Sequence, residues 1–124
     1  MNQLDRQAYY SFFSGVGKQV SINLYVKTGE LFLKSLPERL GNLKGALAQY
    51  DNQSAIILAH QLKGALLSLG GNQLAETFKY LELNINLVPN EVLIQRLDAK
   101  AEDLELFKTE LRGWMLELET TKSF

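Results

Sequence analysis

With 124 residues, 46% of them apolar and 22% charged, the chain has the size and composition of one globular domain that can bury a core, not of a disordered segment. A net charge of −1 gives no general attraction to nucleic acid or anionic lipid, and the lack of cysteine excludes disulfides, zinc–thiolate sites and thiol catalysis. No apolar run is long enough to span a membrane, and the stretch MNQLDRQAYYSFF carries Asp5 and Arg6 without the apolar core of a signal peptide, so the expected location is the cytoplasm.

Helix periodicity dominates the chain, and no segment alternates as a strand does. A short N-terminal segment, 1–18, with Leu4, Ala8 and Phe12 on one side, is expected to form a capping helix that ends at Ser14-Gly15-Val16-Gly17. A long stripe follows: Ile22, Val26, Gly29, Leu33, Leu36, Leu40, Leu43, Leu47 and Tyr50, spaced alternately by four and three residues, as one face of a bundle helix requires. Pro37 is expected to kink that helix or divide it. Gly29 occupies the seam where a large side chain is expected, which points to close packing; Gly41 and Gly45 have no evident purpose. Asp51 and Asn52 mark a break, and either can cap the next helix. That helix runs to Leu69 and stops at Gly70-Gly71-Asn72. A third stripe holds Leu74, Phe78, Leu81 and Ile85. After Val88-Pro89-Asn90 a last helix holds Leu93, Leu97, Leu104, Phe107, Leu111, Trp114 and Leu118. The expected fold is all-α: one domain over 1–124, an antiparallel up-and-down four-helix bundle over 19–119 with members 19–50, 52–69, 72–87 and 90–119, and the additional short N-terminal helix.

His60 is the only histidine. Lys63 at i+3 and Gly64 at i+4 share its side of the helix. At about 100° per residue, Ala55, Leu58, Ala59, Leu62, Ala65, Leu66 and Leu69 cluster on the core side, and His60 lies roughly opposite, with Gln53, Ile56, Ile57, Lys63, Gly64 and Leu67 within about 60° of it. A lone surface histidine is usually only a polar residue, and a lone lysine a solvated charge. A mid-helix glycine is harder to dismiss, because it costs about 1 kcal/mol relative to alanine. Gly64 lies away from the seam of its helix, which favours close approach by another molecule over helix packing. Ile56, Ile57 and Leu67 fit burial against neighbouring helices and an exposed docking patch equally well. A metal site is disfavoured: there is no second histidine, no cysteine, and no carboxylate within one turn on this face. Neither a nucleophile elbow nor a phosphate-binding glycine loop is present, so ATP chemistry is not expected.

The string AHQLKGALLSLGG, with His60-x-x-Lys63-Gly64 at its centre and Ala59 and Leu62 around the histidine, resembles the histidine-containing phosphotransfer (HPt) domain of bacterial phosphorelays. The likeness extends to Phe32-Leu33, Pro37, Leu40, Leu43, Ala46-Leu47 and Asp51 before the histidine, and to Gly70-Gly71, Leu74 and Leu81-Glu82 after it. It covers about residues 30 to 82; residues 1–20 and the last helix match only as generic helices. The resemblance implies a phosphoryl carrier, not an enzyme with an ATP site. His60 is then the phosphorylated nucleophile, taking a phosphoryl group from a receiver-domain aspartate and passing it to another. The implied partners are response-regulator receivers and a hybrid sensor histidine kinase. Mg²⁺ would belong to the receiver, and the chain itself would need no cofactor. Attack is expected from Nε2 of a neutral imidazole. Lys63 is expected to support the phosphoryl charge. Gly64, Gln61, Ile56, Ile57 and Leu67 are the expected partner contacts. Two other readings stay open: a helical adaptor never phosphorylated on His60, and the excised phosphoacceptor module of a larger hybrid or chemotaxis-type kinase. Met1 and the ending after Thr120 favour a free-standing chain, and a monomer is the default.

Overall fold

The computed structural model describes residues 3–121; residues 1, 2 and 122–124, which the single-domain expectation includes, lie outside the described residues. Among the described residues the chain is helical throughout. Its elements are α1 (Gln7–Phe12), a 3-10 turn (Ser14–Val16), α2 (Lys18–Ala48), α3 (Asn52–Leu69), α4 (Asn72–Asn84), α5 (Asn90–Asp98) and α6 (Ala101–Thr121). The only strand-like feature among them is a single bridge between Ile85 and Val88. α3 packs most extensively on α4 and next on α2, which in turn meets α5 and α6.

The apolar stripes bury as their periods require. On α2, Ile22, Val26, Leu36, Leu43 and Leu47 are buried, while Leu33 and Leu40 are half-buried at the margin. Tyr25 and Phe32, outside the expected seam, are buried too, because α2 has neighbours on more than one side. Ala55, Ala59, Leu62, Leu66 and Leu69 of α3 and Leu74, Phe78 and Leu81 of α4 complete the centre. Gly29 is a true packing glycine: a Cβ there would lie 2.3 Å from Sδ of Met115 on α6. Gly41 and Gly45 face open space.

Some boundaries differ from the sequence expectation, and at Pro37 one of its two alternatives falls away. Pro37 lies inside α2 and does not divide it. It is exposed, it removes only the hydrogen bond to the Leu33 carbonyl, and the buried Phe32, Leu36, Leu43 and Leu47 hold both halves of the helix to the core. α2 ends at Ala48, so Tyr50 leaves the stripe: it takes a left-handed backbone (φ 56°), is exposed, and bonds the Glu91 carboxylate. α4 stops at Asn84, not at residue 87, and Asn86 turns the chain with φ 79°. The expected last helix, 90–119, is two helices. Lys100 N–H bonds the Leu97 carbonyl in a tight turn, and α6 restarts with Glu102 and Asp103 in its first turn, where carboxylates suit the helix dipole.

At the N-terminus, Leu4 and Ala8 are buried as expected, but Tyr9 replaces Phe12, which is exposed. Six residues of helix present only one turn to the core, and Tyr9 fills it edge-on against Tyr25 and Trp114. This segment is tied to the α3–α4 turn. Asp5 N–H bonds the Gly70 carbonyl at 2.7 Å, and Asn72 Nδ2 donates to Asp5 at 3.1 Å. Gly70 is left-handed (φ 100°) and ends α3, its N–H and that of Gly71 both reaching the Leu66 carbonyl. Tyr25 Oη closes the remaining gap by donating to the Leu69 carbonyl at 2.7 Å.

Candidate functional site

α3 begins cleanly. Asp51 caps it by accepting from Ser54 N–H at 3.3 Å. Two turns later the helix turns Ala59 and Leu62 inward and His60 outward, so the imidazole side chain is 64% exposed. Helical geometry brings Lys63 beside His60 but turns it further toward α4, and its side chain is only 22% exposed.

The residue that joins them is Glu82 of α4. Its Oε1 lies 2.8 Å from His60 Nδ1, and its Oε2 accepts from Lys63 Nζ at 2.9 Å. The Glu82 side chain is itself only 20% exposed. Lys63 is the main cause holding the Glu82 carboxyl below its usual range; partial burial opposes this, and His60 adds to the lowering. Glu82 is therefore ionised at neutral pH.

That ionisation decides the histidine tautomer. A carboxylate only accepts hydrogen bonds, so a neutral imidazole facing Glu82 through Nδ1 must carry its proton there. The lone pair is then on Nε2, the ring nitrogen away from Glu82. An imidazole fixed in one tautomer and orientation, with its free lone pair on an exposed ring, is a positioned nucleophile or proton acceptor.

Around this triad the other expected contacts sort by exposure. Gly64 is exposed, and a Cβ added to it would meet nothing within 4 Å, so it is not a packing glycine. Gln61, Ile57 and Leu67 are exposed. Ile56 is half-buried against the core, so it contributes at most an edge. The expectation of no carboxylate within one turn of His60 holds along α3; the carboxylate beside the ring is Glu82 of the neighbouring helix. Glu82 stands in the Leu81-Glu82 pair of the family likeness, and the spacing on α4 carries a second signal for it. Ala75 and Phe78, seven and four residues before Glu82, are both buried, which puts Glu82 on the edge of the packed face of α4.

The family model for the Hpt domain matches residues 30–120. The chain belongs to the Hpt family. Membership carries a histidine phosphotransfer role in two-component signalling, performed by phosphocarrier modules rather than catalytic enzymes, with receiver and kinase proteins as partners. No curated protein and no solved structure matches the chain. No described helix is long and apolar enough to cross a membrane.

Proposed function

We propose that this Hpt domain carries a phosphoryl group on His60 between receiver-domain aspartates in a phosphorelay. The observation that carries the proposal is the hydrogen bond of His60 Nδ1 to Glu82, with Lys63 on the other carboxylate oxygen. Phosphoryl transfer needs an in-line nucleophile and charge neutralisation, and little other covalent machinery. Nε2 attacks the aspartyl phosphorus, an N–P bond forms, and the P–O bond to the aspartate breaks with its electron pair leaving on the carboxylate. The proton stays on Nδ1, where Glu82 accepts its hydrogen bond and offsets the positive charge the ring acquires. Return of the phosphoryl group reverses these steps and leaves the same neutral tautomer. Lys63 orients Glu82 and supports the added phosphoryl charge.

Gly64 leaves a notch beside the ring for the loops of the receiver, with Gln61, Ile57, Leu67 and the edge of Ile56 around it. The bundle is read as antiparallel and up-and-down, a single domain over 1–124 that acts as a monomer in the cytoplasm. Mg²⁺ belongs to the receiver, and ATP is consumed by a kinase elsewhere in the relay. Incubation with a phosphorylated receiver tests this reading. The native chain should acquire acid-labile, base-stable label, and His60→Gln should acquire none while keeping its helical circular dichroism. Label on the His60→Gln chain refutes the site. Receiver binding without any label on the native chain would favour the adaptor reading.

A further inference from the structure

We propose that Lys79 on α4 is a second phosphoryl-contacting cation of this site, resting on the phosphocarrier reading above. The triad creates the need for it. Lys63 and Glu82 neutralise one another, so with a neutral ring the resting site has no surplus positive charge. A phosphoryl group on Nε2 brings about two negative charges. It arrives beside a carboxylate that is ionised and committed to Nδ1. Lys63 cannot supply its whole charge to the phosphoryl group while its ammonium holds Glu82.

Lys79 is placed to make up the difference. It is exposed and makes no hydrogen bond or ion pair among the described residues. Three residues before Glu82, it stands about 4.5 Å back along the α4 axis and about 60° round toward solvent. Contacts of α3 with α4 and with the turn that follows it fix which way that leads along α3. Asn52 meets Asn86 at 2.6 Å, and His60 meets Glu82 further on. Stepping back along α4 is therefore stepping forward along α3, which brings Lys79 level with Lys63 and the open notch at Gly64. A flexible lysine there can reach over the notch to phosphoryl oxygens without giving up any other partner.

The test separates this role from receiver docking and from folding. The intact protein is labelled on His60 with potassium phosphoramidate, a small donor that needs no receiver, and its phosphorus-31 resonance is titrated. A contacting cation favours the fully ionised phosphoryl group, so Lys79→Met should move the midpoint upward, and Lys79→Arg should restore it. In a mixture with a receiver, Lys79→Met should lower the share of phosphate held by this chain about two- to five-fold, the range of a single exposed charge contact. Unchanged midpoint and partition in Lys79→Met would overturn the proposal. So would equal effects of the Met and Arg substitutions, which would make Lys79 a structural residue. Failure of every receiver to label His60 would instead count against the carrier function, and the phosphoramidate titration would still decide on Lys79.

Discussion

Gly64 and Gly29 are both mid-helix glycines, and the structure assigns their substitutions opposite signs. Replacing a helix-interior glycine by alanine removes backbone freedom from the unfolded chain and stabilises by about 0.8–1 kcal/mol where the new methyl is unopposed. At Gly64 it is unopposed, with nothing within 4 Å of the added carbon. Gly64→Ala should therefore raise stability by about 1 kcal/mol, or roughly 4 °C in Tm for a domain of this size. At Gly29 the same methyl would lie 2.3 Å from Met115 Sδ, on a side chain that is itself buried. Overpacking of this kind costs about 1–3 kcal/mol, so after the propensity gain Gly29→Ala should lose about 1 kcal/mol. Thermal unfolding followed by circular dichroism reads both. Receiver-dependent labelling of Gly64→Leu supplies the functional half: a bulky side chain in the notch should abolish transfer with no fall in Tm. A destabilised Gly64→Ala would show that the notch is filled by the protein itself. A Gly64→Leu chain that is labelled at the native rate would show that no partner approaches it.

Two further outcomes follow from buried or shared polar groups. Tyr25→Phe removes the one side chain among the described residues that bonds the Leu69 carbonyl at the end of α3, and it should cost about 1–3 kcal/mol in urea unfolding; a loss below about 0.5 kcal/mol would mean that water or the N-terminal segment satisfies that carbonyl instead. The Glu82 carboxyl is lowered from 4.5, so its pairing stabilises the fold above that value and the contribution disappears as pH falls through the lower folded value. Glu82→Gln should accordingly flatten the loss of stability below pH 4.5, and an unchanged acid limb in the variant would contradict the pairing with Lys63.

The stripes were legible because burial on one face leaves a 3.6-residue signature whatever the partner. The proposed nucleophile was legible as a candidate because His60, Lys63 and Gly64 sit within two turns of one helix. Their link was not: Leu81-Glu82 belongs to the likeness, but Glu82 lies 22 residues away and its contact with His60 exists only after the chain has turned at Gly70 and Gly71. The same limit explains the N-terminus. A six-residue helix has too few positions for periodicity to choose between Tyr9 and Phe12, and the choice is made by rings on α2 and α6. It also explains the split at Ala99. Leu97 and Leu104 are seven residues apart and both buried, so a continuous helix and a helix–turn–helix write the same apolar pattern there.

If His60 carries the phosphoryl group as proposed, the placement of charge suits a carrier rather than a storage site. Glu82 holds Nδ1–H and Lys63 together, so the ring is oriented before any phosphoryl group arrives. The same carboxylate stays beside the group once it is bound. Each feature that readies Nε2 to attack therefore limits how favourably phosphate is held. An exposed ring next to an open notch lets a partner's aspartate reach the phosphorus from outside, along the line of the N–P bond. Transfer out then needs no proton from solvent, because the leaving imidazole already carries one on Nδ1. On the carrier reading proposed above, such a site favours neither direction of transfer by itself.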